Sequence, residues 1–410
     1  MPNWLLPENL SDALPSEARR IEELRRQLLD LYRIYGYELI APPLIEHLDS
    51  LLTGSGSQLA MRTFQTVDQL SGKTLGIRAD MTPQAARIDA HNLNRTGVSR
   101  LCYAGPVLHT RPASALATRE PFQVGAELFG HGGIEAELEV IDLMIESLQA
   151  AGVTQIRIDM GHAAIVPAVL DTMRRRCPEP YEAVDIDMVY QLLVQKDQAG
   201  LRVLLAGWPA PIVSAMTSLT TLYGPVAQGD VGVVDQAVAV LPADPAIDDA
   251  LARLRAVIAS SLWERHPGVS LAIDLADLQG YHYYTGVCFT AFASPANGVD
   301  AHGQALARGG RYDGVGKAFG RDRAAAGFSL ELRLLAALGN GAHNQVDAGQ
   351  RCAVRAPWSD DPGLRAAVAR LRDQGEIVVQ IFPGHEQEQD EFACDRELTL
   401  RDKQWILVDI

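Results

Sequence analysis

The stretch FQVGAEL, residues 122–128, changes side-chain character at every position. In a β-strand, successive side chains point to opposite faces. Phe122, Val124, Ala126 and Leu128 then share one face, toward a core, while Gln123, Gly125 and Glu127 share the other. The chain is therefore committed to a sheet with one apolar and one polar side at this point. An amide and a carboxylate separated by a glycine make a suitable floor for a ligand with a positive nitrogen. A half-exposed strand with its polar residues in water gives the same pattern, and the stretch alone leaves both readings open.

The surrounding segments extend the sheet. RLCYAGPVLHT reads as a strand, joined to EPFQVGAELFG by the loop RPASALATR, which carries Arg111 and Arg119. YELIAPPLIEH reads as another strand, with Pro42 and Pro43 forcing it to an edge or an interface. Residues 16–35 carry Ile21, Leu24, Leu28, Leu31 and Tyr35 at spacings of three and four, which predicts an amphipathic helix ended by Gly36. Residues 135–151 read as a second helix. Residues 160–265 read as a mostly helical insertion, 269–310 as strands and 323–339 as an apolar helix. The tail, 346–410, reads as strand, helix, strand and a final strand WILVDI, a small α/β module after the linker GNGAHNQVDAG. Consecutive strands flanked by helices predict an α+β fold on an antiparallel sheet rather than a doubly wound one. The expected domains are 1–340, with the insertion at about 160–265, and 346–410.

Several function classes are disfavoured. The sequence contains no GxGxxG or GxxxxGK[ST] phosphate loop, no HExxH and no GxSxG. Its five cysteines (Cys102, Cys177, Cys288, Cys352, Cys394) form no CxxC pair, so neither a zinc site nor a disulfide framework is indicated. No cofactor and no metal are expected. A formal net charge of −15 argues against nucleic acid as the main partner. The N-terminus does not read as a signal peptide, and no apolar run reaches the ~20 residues that span a bilayer. A cytoplasmic location without membrane attachment is the expectation.

Three further stretches contain candidate binding residues. RADMTPQ, 78–84, puts Asp80 and Thr82 at a helix start, with Thr82 at the N-cap and Pro83 in the first helical position. Capping explains these residues by itself, and an ammonium-binding role for Asp80 is the alternative. LQGYHYYTG, 278–286, holds Tyr281, Tyr283 and Tyr284 between glycines, either as core aromatics or as hydroxyls that read a polar ring. ARGGRYDG, 307–314, is a glycine-rich turn with Arg308, Arg311 and Asp313.

Taken in order, DALP, YGYELIAPPLIE, RADMT, FQVGAELFG, GYHYYTG, GGRYDG and AAGFSLELRLL resemble the catalytic domain of class II histidyl-tRNA synthetases over roughly residues 5–340. The resemblance implies a class II synthetase-like antiparallel sheet and a histidine pocket. Asp80, where the family has a glutamate, Thr82 and Gln123 would meet the amino group. Glu127 and Tyr284 would address the imidazole, with Tyr283 beside it. Pro43 matches the proline of the dimer-forming first motif.

The departures from the family fall on the phosphate site. His109 stands at the position of an arginine in the second motif, with Arg111 nearby. Gln279 stands where the family has an arginine for the carboxylate and the reacting phosphate. In the third motif Leu334 takes the arginine position, and Arg333 lies one residue early, a rotation of ~100° on a helix. Each charge-assisted contact is worth ~1.5–3 kcal/mol, so three losses weigh against adenylation. Arg111 and Arg311 are the candidate replacements for carboxylate or phosphate contacts. The tail is also shorter than a synthetase's anticodon-binding domain.

This pattern resembles the synthetase paralogues that serve as regulatory subunits of ATP phosphoribosyltransferase. The resemblance implies a non-catalytic subunit for the first step of histidine biosynthesis. It would activate a short-form catalytic subunit and confer allosteric feedback inhibition by histidine, as a homodimer core within a hetero-oligomer that binds no tRNA. The alternative is an active histidyl-tRNA synthetase whose missing cations come from Arg111, Arg119, Arg308 or Arg311. A free-standing histidine- or RNA-binding module is the third reading.

Overall fold

The computed structural model describes residues 5–53, 57–114, 117–178, 184–226, 232–277, 283–293, 304–338, 353–385 and 394–410. The chain divides into two compact units, Met1–Asp12 with Ile21–Leu338 and Ala13–Arg20 with Gly339–Ile410.

The first unit is built on a nine-stranded sheet. In chain order its strands are β1 (Glu38–Leu39), β2 (Ser99–Pro106), β3 (Phe122–Phe129), β4 (Ile156–His162), β5 (Tyr223–Val226), β6 (Val269–Asp274), β7 (Val287–Ala293), β8 (Ala305–Arg311) and β9 (Ala325–Glu331). Across the sheet they run β1-β2-β3-β9-β8-β7-β4-β6-β5. Only the β1–β2 and β4–β6 pairs are parallel. The expected α+β class with a largely antiparallel sheet is what the chain adopts.

The helix predicted from the N-terminal apolar spacing is α1 (Pro15–Ile34), which buries Ile21, Leu24, Leu28 and Tyr32. Gly36 follows it at φ +84°, a conformation costly for other residues. α2 (Thr82–Arg87) and α3 (Glu135–Ala150) complete the frame of the site. One sheet face, carrying Val124, Ala126, Leu128, Phe328 and Phe289, joins the main apolar core with α1 and α3. Tyr32 of α1 meets Phe328 edge-on at 6.0 Å. The other face is paved differently. In register across five strands lie Glu127, Gly327, Gly310, Cys288 and Gly161. The next row on that face is Tyr103, Gly125, Ser329, Arg308, Thr290 and Asp159. α2 covers one end of this face through a second apolar cluster that includes Met81, Ala85, Leu101, Tyr103 and Tyr312.

Three local expectations change. YELIAPPLIEH is not one strand. Its first part is β1, and Ile45–His47 joins a separate antiparallel sheet with Thr74–Ile77 and Phe64–Val67. Pro42 and Pro43 lie between the two pieces and have no N–H for a ladder. Residues 323–339 are not all helix: β9 comes first, then a helix Leu332–Leu338. β9 is paired on both sides, by β3 and β8, and that pairing overrides the helix propensity of its alanines. The mostly helical stretch 160–265 also contributes β5 to the sheet edge.

In the second unit, four strands run Val378–Ile381, Ala353–Pro357, Cys394–Arg401 and Gln404–Asp409 across a mixed sheet. Cys394–Arg401 is a strand that the sequence reading did not separate. The helix Pro362–Asp373 packs Leu364, Val368 and Leu371 with Val354, Val378 and Leu398. Asp361 caps it, accepting from the N–H groups of Gly363 and Leu364 at 2.6 and 3.2 Å. Among the described residues, no helix is long and apolar enough to cross a membrane.

Candidate functional site

The pocket is built from its deepest group outward. Glu127 lies on β3 and is 1% exposed. Its Oε1 accepts from the Tyr103 hydroxyl at 2.8 Å, and its Oε2 from the Tyr312 hydroxyl at 2.5 Å. Burial drives its carboxyl upward. Hydrogen bonds from Tyr312 and Tyr103 pull it back only in part, leaving it raised to about 8. At neutral pH the group is mostly protonated, so it can donate as well as accept. Gly327 on the adjacent strand makes room for it, because a Cβ there would sit 1.7 Å from Glu127 Oε2.

A chain of hydrogen bonds leads from Glu127 to the start of α2. The Tyr103 hydroxyl gives its proton to Glu127, so it accepts from Thr82 Oγ1, 3.1 Å away. Thr82 therefore does not cap the helix as expected. Met81 occupies the N-cap, and the Thr82 backbone N–H donates to Asp80 Oδ1 at 3.0 Å. The same oxygen accepts from Gln123 Nε2 at 2.8 Å, while Gln123 Oε1 accepts from the Met81 N–H at 2.8 Å. Gln123 is thus held at both ends of its amide and fixes Asp80, whose Oδ2 accepts no hydrogen bond among the described residues.

Tyrosines surround this network. Tyr283 stacks on Tyr312 with centroids 4.9 Å apart and planes 24° apart, and meets Tyr284 edge-on at 5.4 Å. The Tyr283 hydroxyl is shielded from solvent without a hydrogen bond of ordinary geometry among the described residues. Thr82 is the polar side chain nearest to hydrogen-bonding it. Burial pushes the Tyr103, Tyr283, Tyr284 and Tyr312 hydroxyls well above their usual range, so all four stay protonated.

Asp80, Thr82, Gln123, Glu127, Tyr283 and Tyr284 are therefore in one neighbourhood, linked by these contacts. Two members were missing from the sequence reading, Tyr103 and Tyr312. Tyr103 shares a register row with Gly125, where an added Cβ would come within 2.5 Å of its hydroxyl. The signal was available in RLCYAG once that strand is paired with FQVGAEL.

The candidate cations behave differently. Arg311 is not available to a ligand, and that expectation is corrected. Its Nε and Nη2 donate to the fully buried Glu137. Its Nη1 donates to the His131 carbonyl and Asp313, and Nη2 also to the Gly133 carbonyl. All five N–H groups of the guanidinium are engaged. Arg111 lies exposed on the loop after β2. His109 Nε2 is 2.9 Å from the Ala79 carbonyl, and burial holds its imidazole below the usual range. It is neutral at pH 7 and no substitute for an arginine. Arg333 reaches the Ser11 carbonyl and hydroxyl at 3.3–3.4 Å. Gln279, Tyr281 and His282 lie outside the described residues. One acid–histidine group, Asp142, Glu146 and His266, has a metal-compatible spacing. Asp142, however, is already paired with His266 at 2.7 Å and Arg265 at 3.1 Å.

The chain is similar to known proteins along its length. A family model described as histidyl-tRNA synthetase matches residues 9–335, and one described as the ATP phosphoribosyltransferase subunit HisZ C-terminal domain matches residues 351–408. The ATP phosphoribosyltransferase regulatory subunit of Cupriavidus necator is 52% identical over 406 residues, 99% of each chain. That of Bordetella petrii is 51% identical over 410 residues, 99% of each chain. Among solved structures, an ATP phosphoribosyltransferase regulatory subunit/histidyl-tRNA synthetase from Bacillus halodurans superposes with a TM-score of 0.77 at 24% identity, covering 94% of each chain. Apo histidyl-tRNA synthetase from S. aureus gives 0.62 at 16% identity, covering 99% of this chain and 97% of its own. At these identities both structures speak to fold alone.

Proposed function

This chain belongs to the family of ATP phosphoribosyltransferase regulatory subunits, and on that premise we propose that it activates a short-form catalytic subunit and makes the complex sensitive to histidine. The partner performs the chemistry of the first step of histidine biosynthesis, and this subunit contributes no catalytic group. Histidine is the effector and binds the synthetase-like pocket. Asp80, Thr82 and Gln123 receive its ammonium group, and Glu127, Tyr283 and Tyr284 its imidazole. The domains run over residues 1–340, with the helical insertion at about 160–265, and 346–410. The first carries the homodimer core of a hetero-oligomer.

The observation that carries this reading is a contrast within one cleft. The amino-acid end holds a buried carboxyl raised to about 8 between two tyrosines, joined by hydrogen bonds to Thr82. At the phosphate end, His109 is held neutral against a backbone carbonyl and Arg333 is engaged by Ser11. Adenylation needs fixed positive charge where phosphate charge develops. A site of this kind recognises an amino acid without activating it. Regulation then follows from linkage, since histidine shifts activity only by the difference in its affinity for two arrangements of the complex.

The test is ATP phosphoribosyltransferase activity of the short-form catalytic subunit, with and without this protein, over a histidine titration. Activation that histidine reverses is the expected result. No activation and no co-elution, together with histidine-dependent exchange of pyrophosphate into ATP, would replace this reading with that of an active synthetase.

A further inference from the structure

The pocket as described offers acceptors to both ends of an amino acid but no cation to its carboxylate. Asp80 and Glu127 are both acids, and a carboxylate brought between them without a positive partner is opposed by charge and by desolvation. The nearby arginines are engaged. Arg78 donates to the Pro106 and Pro42 carbonyls at 2.9 and 2.8 Å, Arg311 is held by Glu137, and Arg333 by Ser11.

Arg308 differs from these. It lies on β8, exposed, and among the described residues it makes no ion pair. Strand register places it on the polar face of the sheet. Ser329 is its neighbour on one side and Thr290 on the other, and Gly125 lies beyond Ser329 in the same row. Asp159, beyond Thr290 in that row, is already paired with Arg157 at 2.6 Å. The positive charge of Arg308 also acts on Tyr284, where it opposes the upward push of burial on the hydroxyl.

The spacing suits a zwitterion. Gln123 and Glu127 are four residues apart on one strand, roughly 14 Å, with Gly125 midway. An amino acid spanning them lies above the Tyr103 hydroxyl that covers Gly125. Two strand spacings, roughly 10 Å, separate Gly125 from Arg308, a distance that an extended arginine and one hydrogen bond of ~2.9 Å can cover. Ser329 is a small side chain on that path, and the Tyr103 hydroxyl covers Gly125 at its other end.

We propose that Arg308 fixes the α-carboxylate of the amino-acid ligand from the polar face of the sheet, two strands away from Gln123 and Glu127. The assignment rests on the histidine-pocket reading above and sharpens it. The ligand must be an α-amino acid with a free carboxylate.

The test is calorimetric binding of L-histidine and of L-histidinol, which carries a hydroxymethyl group in place of the carboxylate. Wild type, Arg308→Ala and Arg308→Lys are compared, each as the full chain alone and in the reconstituted complex. Wild type should prefer histidine. Arg308→Ala should weaken histidine by about 10–100-fold, the range of a lost charge-assisted hydrogen bond, and leave histidinol nearly unchanged. Arg308→Lys should fall between them. If histidine binds wild type and Arg308→Ala keeps the full preference for histidine over histidinol, the arginine assignment is wrong and the pocket stands. If wild type binds neither compound, alone or in the complex, the pocket reading fails and the assignment falls with it.

Discussion

Glu127 is a carboxyl enclosed by the fold and given two phenolic donors, so its proton is part of the folded structure. Two consequences are measurable at this residue. Glu127→Ala should weaken histidine inhibition at least tenfold while leaving association with the catalytic subunit intact. Unchanged inhibition in that variant would remove Glu127 from the pocket. The second consequence is a pH dependence. The folded carboxyl is raised to about 8 from its usual 4.5, so between these values the folded chain holds a proton that the unfolded chain has released. Stability from this group therefore falls as pH rises through that window and levels off above it. In scanning calorimetry from pH 5 to 9, the Tm of Glu127→Gln relative to wild type should climb with pH and then plateau. A constant difference would show that Glu127 ionises normally. The alternation in FQVGAEL already placed this residue opposite the core. What it could not show was the enclosure, because Tyr103 and Tyr312 come from segments 24 residues before and 185 after.

At the level of elements, α3 carries the other buried acid. Glu137 is fully buried and holds two arginines, Arg311 at the end of β8 and Arg253 on the insertion helix Pro245–Ile258. Burial pushes its carboxyl up, but the two guanidiniums outweigh that and leave it below the usual carboxylate range. Removing one partner of such a cluster strands the others in a dry environment. Glu137→Ala should destabilise the protein by about 3–5 kcal/mol in urea unfolding, with Arg311 the larger casualty. A loss below about 1 kcal/mol would mean that water replaces the carboxylate freely. This cluster explains why Arg311 was misread from GGRYDG. A glycine-rich turn shows that an arginine can approach something, but not that the something is a glutamate 174 residues away. β9 was misread for a related reason. Its alanines favour a helix locally, and only the strands on both sides decide otherwise. α1, α3 and β3 were legible because each carries its own period.

For the whole molecule, the order of motifs along the chain disclosed the class of fold better than any single motif disclosed chemistry. The antiparallel frame, the helical insertion and the small α/β tail each leave a run of patterned residues. The edge strand β5 does not, being four residues with a proline among them. The prediction at this scale concerns what the assembled cleft cannot do. With saturating histidine and ATP, the protein should show no exchange of pyrophosphate into ATP above background. Restoring arginine at position 109 alone should not create it, since the cation positions at 279 and 334 remain unfilled. Exchange in the wild-type protein would show that its phosphate site is functional.

The chain of hydrogen bonds from Thr82 through Tyr103 and Glu127 to Tyr312 has a temporal consequence. Its links join residues 21, 24 and 185 positions apart. The second can close as soon as β2 and β3 pair, and the first once α2 docks beside β2. The last must wait for a loop that contains the whole helical insertion, and closures of that span come late in folding. The proposed histidine site is thus expected among the last structures to form, and a partly folded chain should not bind histidine. In stopped-flow refolding, capacity to bind histidine should recover with the slowest phase. Recovery ahead of the insertion helices would show that the pocket assembles without its distal tyrosine.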